Sequence, residues 1–103
     1  MKYKIIRTDK ADEQLRDIIF YIADDTGNLD IALNYLDKID TAIRRLEDFP
    51  ESGSIPRYGI LRRQGYKVLI VERHLVFYKI NKAEKLVVIY AVVDGKREYQ
   101  NLV

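Results

Sequence analysis

Three side chains in the second half of the chain carry chemistry that could act on a phosphate: His74, Arg97 and Tyr99. An arginine can neutralise charge on a phosphate, while histidine or tyrosine can exchange a proton. His74 is the only histidine, and the only side chain whose ordinary pKa suits acid-base work near neutrality. Arg97 and Tyr99 follow the most apolar run of the sequence and share one side if the backbone there stays extended. Around them, Arg62, Arg63, Lys67 and Arg73 are interleaved with Tyr58, Tyr66 and Tyr78. Cations can meet phosphates while rings stack on unpaired bases, so this mixture suits single-stranded RNA better than a duplex groove. The competing readings are structural: a solvated sheet face, tyrosines packed as core or rim, a surface ion pair at Arg97 and a hydrogen-bonded edge histidine.

Charge is sorted along the chain in the same sense. From Arg57 to Lys82 there are seven Lys/Arg against one acid, Glu72, whereas Asp9 to Glu51 holds twelve acids against five bases, in a protein of net charge +2. A near-neutral total thus conceals a basic region beside an acidic one, the usual footprint of a polyanion-facing surface. With no cysteine there is no disulfide and no thiolate zinc site, and one histidine excludes an all-imidazole site, so the expected chemistry needs neither metal nor cofactor. Glycine-rich phosphate loops and Ser/His/Asp sets are absent from the sequence, and Asp9, Asp12, Asp17 and Asp37 read as solvated helix faces. No run approaches the ~20 apolar residues of a membrane span, so the expectation is a soluble, cytoplasmic protein.

The elements that must position these groups follow from hydrophobic period. Residues 3–7 form a short strand, and Thr8 or Asp9 can cap the helix behind it. Ala11, Leu15, Ile18 and Ile22 recur at helical spacing; Gly27 and Asn28 then end one helix and cap the next, where Ala32, Leu36, Ile39, Ile43 and Leu46 repeat the pattern. So short a link predicts an antiparallel helical hairpin. Pro50, Gly53, Pro56, Gly59 and Gly65 punctuate a connection with no surviving helical period. Residues 66–71 and 74–80 alternate as a β-hairpin, and Leu86 to Val93 is a continuous apolar strand of the kind buried on both faces. The 103 residues are one domain of class α+β: a β-α-α-β-β-β chain with the helical hairpin on one face of a four-stranded, mainly antiparallel sheet, leaving the other face free.

The segments Asp9 to Ile18 with Tyr21-Ile22-Ala23, Ala32 to Leu46, Phe49-Pro50, Gly53, His74 to Ile80 and Val88 to Arg97 resemble the RelE/ParE family of toxins over nearly the whole chain. That resemblance implies the toxin half of a bacterial type II toxin-antitoxin pair, neutralised by a small cognate antitoxin of RelB or ParD type. It implies one of two activities: ribosome-dependent, metal-independent cleavage of mRNA by attack of a 2′-hydroxyl on the adjacent phosphate, or non-enzymatic poisoning of DNA gyrase. A third possibility is an inactive member that only binds antitoxin. On the nuclease pattern, which the sequence reading places first, Lys67 matches a second-strand lysine, Arg97 the arginine after the fourth strand and Tyr99 the C-terminal tyrosine. Leu69 stands where that pattern has a second lysine, and His74 or Leu75 where it has a third-strand arginine. The nuclease set that the resemblance implies is thus Lys67, His74, Arg97 and Tyr99, the basic groups stabilising a pentacoordinate phosphate and His74 or Tyr99 moving protons. The antitoxin is expected to lay an amphipathic helix between helical hairpin and sheet, its acids covering the basic patch.

Overall fold

A computed structural model describes residues 2–95. Strand β1 (Lys4–Arg7) leads into α1 (Asp9–Thr26) and α2 (Leu29–Arg44), then a 3-10 turn at Arg45–Glu47 and another at Pro50–Ser52. A short helix α3 (Gly59–Arg63) precedes β2 (Lys67–Val71), β3 (His74–Asn81) and β4 (Leu86–Asp94). The caps are those the sequence offers. Thr8 Oγ1 accepts the Ala11 N–H, and Asn28 Oδ1 accepts from Asp30 and Ile31. Gly27 closes α1 at φ 64°, a left-handed conformation that costs glycine nothing.

The sheet runs β1-β4-β3-β2, with β1 parallel to β4 and the other two pairings antiparallel. This places the apolar β4 second from one edge, flanked on both sides. One face packs on the helical hairpin: Ala11, Leu15, Ile39, Ile43 and Leu46 meet Val71, Val76, Tyr78, Val87, Ile89 and Val92. Burying each such aliphatic side chain is worth about 1.5–3 kcal/mol, so this layer dominates the stability.

The opposite face is not left open. The chain from Pro50 to Gly65 is partly structured rather than a bare connection. It pairs Ser54 with Val68 at the β2 edge, crosses that edge and lays α3 against the far side. There Leu61, Tyr66, Val68, Phe77 and Ala91 make a second, smaller core. The crossing is pinned by Tyr78, whose hydroxyl accepts the Gly53 N–H at 3.0 Å and donates to the Pro50 carbonyl at 2.8 Å. Gly53 is required by this approach, since a Cβ there would lie 2.4 Å from the Tyr78 hydroxyl and 2.9 Å from the Val68 carbonyl oxygen.

β4 also carries a bulge. Tyr78 pairs with Ile89 and Phe77 with Ala91, so Tyr90 is surplus. Its carbonyl accepts from Thr8 Oγ1, and Gln14 Oε1 of α1 accepts the Val92 N–H at 2.8 Å, fixing α1 to the bulged strand.

Candidate functional site

β-strand alternation decides where each candidate group points. In β2, Val68 belongs to the far core, so Lys67, Leu69 and Val71 face the helices. Lys67 lies at the Tyr78 end of the β2–β3 ladder, only 21% of its side chain exposed, with its ammonium 3.9 Å from Glu51. Glu51 in turn pairs with Lys82 at 2.8 Å, and that hydrogen bond is the main cause holding its carboxyl below the usual range.

His74 occupies the other end of the same ladder, paired with Val71 and Asp94. Four residue steps separate it from Lys67 along the sheet, about 13 Å at the rise of a β-strand. It is 7% exposed, and Nδ1 shares a 2.5 Å hydrogen bond with the hydroxyl of Tyr35 on α2, which also reaches the Val71 carbonyl at 3.4 Å. Burial pushes the imidazole pKa below its ordinary value, opposed by Asp94 and assisted by Arg73. Burial likewise raises the Tyr35 phenol. The histidine that the sequence offers as an acid-base catalyst or a solvated or hydrogen-bonded edge residue is a buried ring, hydrogen-bonded to Tyr35 and joining α2 to the sheet.

The basic residues divide by task. Arg62 spends its guanidinium on the Pro56 and Arg57 carbonyls, at 3.0 and 2.8 Å, which holds the crossing segment against α3. Arg73, in the β2–β3 turn, stands 3.7 Å from Asp94, and Arg63 is exposed on α3. Arg97 and Tyr99 lie outside the described residues. Asp12, expected as solvation, instead holds Arg7 at 2.8 Å, and the same guanidinium meets Asp40 of α2 at 3.1 Å. Among the described residues, no group of three or more His, Asp or Glu is placed to hold a metal ion, and no helix is long and apolar enough to cross a membrane.

Two arrangements escape the linear reading. Lys79 of β3 sits 4.6 Å above the Tyr66 ring and 5.5 Å from that of Tyr90, which themselves meet edge to face. Alternation already puts Lys79 on the Phe77 side of β3 and Tyr90 on the Val88 side of β4, but the pairing of the two strands that brings them together has no local signal. The other is a groove of about 750 Å³ between α1 and the His74–Asp94 end of the sheet, lined among others by Ile18, Tyr21, Tyr35 and Val92. Among the described residues, Asp17, Asp25 and Asp94 also line it against one cation, Arg73, so that lining is acidic.

Over residues 5–99 the chain matches the family model described as the ParE toxin of type II toxin-antitoxin systems. It belongs to the ParE toxin family. A search of curated proteins gives no match. Among solved structures the toxin is similar to a chain of the chromosomal ParDE system from P. aeruginosa, with TM-score 0.73 and 16% identity, covering 90% of this chain and 96% of that one. It is also similar to a chain of the RelBE2 toxin-antitoxin complex from Mycobacterium tuberculosis, with TM-score 0.63 and 18% identity, covering 91% and 99%. The α+β arrangement read from periodicity is thus the RelE/ParE toxin fold. Within it, the toxin holds Lys67 and His74 on the helix-facing side of the sheet and keeps a different set of cations on the other.

Proposed function

We propose that this toxin arrests growth as a non-enzymatic inhibitor of DNA gyrase, held in check by a small cognate antitoxin. The observation that carries this reading is the separation of Lys67 and His74. The two described members of the nuclease set stand at opposite ends of the hairpin, one beside Glu51 and the other buried against Tyr35. A general acid or base must come within about 3 Å of the proton it moves, and a phosphate cannot reach both groups at once. The match to the ParE model supports the same direction. For the antitoxin, the supporting facts are the complexes from which both structural neighbours come and the groove beside α1, whose apolar walls suit the docking of a helix. Its three carboxylates favour a segment that brings lysine or arginine to the rim rather than the acidic helix suggested by the basic stretch alone.

Purified toxin added to gyrase and relaxed plasmid is expected to stop supercoiling and trap linear, gyrase-linked DNA. The rival reading, ribosome-dependent mRNA cleavage, rests on Arg97 and Tyr99, which follow β4 in the sequence. Codon-phased mRNA ends after induction, lost in Arg97→Ala, together with unimpaired supercoiling, would replace the gyrase reading with that one.

A further inference from the structure

The far face of the sheet, beyond the helical hairpin, has an unusual charge inventory. By register with Val88, Phe77 and Val68, the side chains on this face are Lys4 and Ile6 of β1, Leu86, Val88, Tyr90, Ala91 and Val93 of β4, Leu75, Phe77, Lys79 and Asn81 of β3, and Val68 and Ile70 of β2. None of these strand residues is acidic; the carboxylate that reaches the edge of the face is that of Glu84 in the β3–β4 turn, which accepts from Asn81 Nδ2 at 3.1 Å. The segment that covers part of this face adds Arg57, Arg62 and Arg63, and the chain has no Asp or Glu from Ser52 to Val71. The carboxylates in ion pairs meet other cations: Glu47 with Lys2, Asp12 and Asp40 with Arg7, Glu51 with Lys67 and Lys82, Glu72 with Lys38, Asp94 with Arg73.

From this we infer that the far face binds the phosphate backbone of duplex DNA, with Lys79 at its centre and Lys4 and Arg63 to either side. Lys79 and Lys4 stand two strand spacings and two residues apart, about 12 Å by sheet geometry. That is the width of the major groove, whose two rims are rows of phosphates. The Tyr66 ring is no platform for an unpaired base: it is 6% exposed and lies beneath the Lys79 ammonium. Lys79 is also held upright by the two rings below it, so little rotamer freedom is lost when a phosphate arrives. Contact through charge without stacking gives binding that ignores sequence and depends steeply on salt. The inference rests on the gyrase reading only for why duplex DNA would be at hand, since duplex DNA is the substrate of gyrase.

The test is fluorescence anisotropy of the full chain with a labelled 20-base-pair duplex of arbitrary sequence, from low to moderate salt, beside a single-stranded RNA of the same length. Duplex binding that weakens log-linearly with salt is expected. Lys79→Gln should lower affinity by roughly tenfold near 0.1 M salt and flatten the salt slope by about one, the effect of losing one phosphate contact. Lys79→Arg should restore both, while Lys38→Gln, at the Glu72 pair on the other side of the molecule, should change neither. Absence of salt-dependent duplex binding, equal behaviour of Lys79→Gln and Lys38→Gln, or RNA binding tenfold tighter than duplex would each overturn the inference. Supercoiling does not enter this assay. Loss of gyrase inhibition with duplex binding intact therefore refutes the functional reading alone, and intact inhibition without duplex binding refutes this one alone.

Discussion

The two faces of the sheet are built from the same strands and closed by different means. The helix-facing side is sealed by two long amphipathic helices, each capped at its N-terminus, and carries its cations as ion pairs such as Arg7 with Asp12 and Asp40. The far side is partly covered by a segment with one five-residue helix, attached by the Ser54–Val68 bridge, the Tyr78 hydroxyl and the Arg62 guanidinium. The first face spends its charge on holding elements together. On the second, Lys79 and Lys4 have no carboxylate beside them in the strands. The difference teaches that a near-neutral protein can present a cationic surface by sorting its acids spatially, without a large net charge.

If the helix-facing core bears global stability and the far core only seats a cover, truncations on the two sides should behave differently. Ile39→Ala should cost about 2–5 kcal/mol of unfolding free energy, read from urea melts. Leu61→Ala should cost less globally and instead speed amide exchange within residues 58–66. Equal losses in the urea melts would mean that the two cores unfold as one unit, which erases the comparison.

Next in size is Gly53→Ala. The new methyl group must displace the Tyr78 ring or the Val68 strand, so a loss of about 1–3 kcal/mol is expected, with the crossing segment more protease-sensitive than in the parent. A neutral Gly53→Ala would show that the crossing is not pinned at this point.

The smallest effect concerns pH and probes the helix side alone. Burial lowers the folded-state pKa of His74 below its unfolded value near 6.5. Above that value both states are neutral at this ring. Below it the unfolded chain takes up a proton that the native ring refuses, so stability falls as pH drops from about 6.5 toward the folded pKa. Urea midpoints of the parent should decline across that window, and those of His74→Gln should decline less. Parallel declines would mean that the imidazole titrates freely in the native state.

What the sequence disclosed, and what it did not, follows the range of each interaction. Thr8, Gly27 and Asn28 act on neighbours within three residues, so the helix ends were legible from composition and order. The four strands and two long helices also followed from period, and with them the fold. The short helix at Gly59–Arg63 escaped because five residues between glycines carry too little periodicity to read. Parallel pairing of β1 with β4 joins residues some eighty positions apart and leaves no mark in either strand. The same holds for His74, whose partner Tyr35 is 39 residues away on another element. A lone histidine at a strand start looks identical whether it is wet or buried. Lys67 and Arg73 were visible as cations, but not their carboxylates Glu51 and Asp94, which decide how much charge each side chain has left to offer.

The surplus residue Tyr90 acts on β4 as a frameshift acts on a message. Upstream of it, Val87 and Ile89 address the helices; downstream, Val92 and Asp94 do, because the odd-even sense of the strand has been exchanged. Delete that residue and β4 alternates without a break: Ala91, Val92 and Asp94 keep Phe77, Val76 and His74 as partners, and what is lost is the second ring beneath Lys79. One extra residue thereby lets two neighbours in sequence, Tyr90 and Ala91, serve the same face of the sheet.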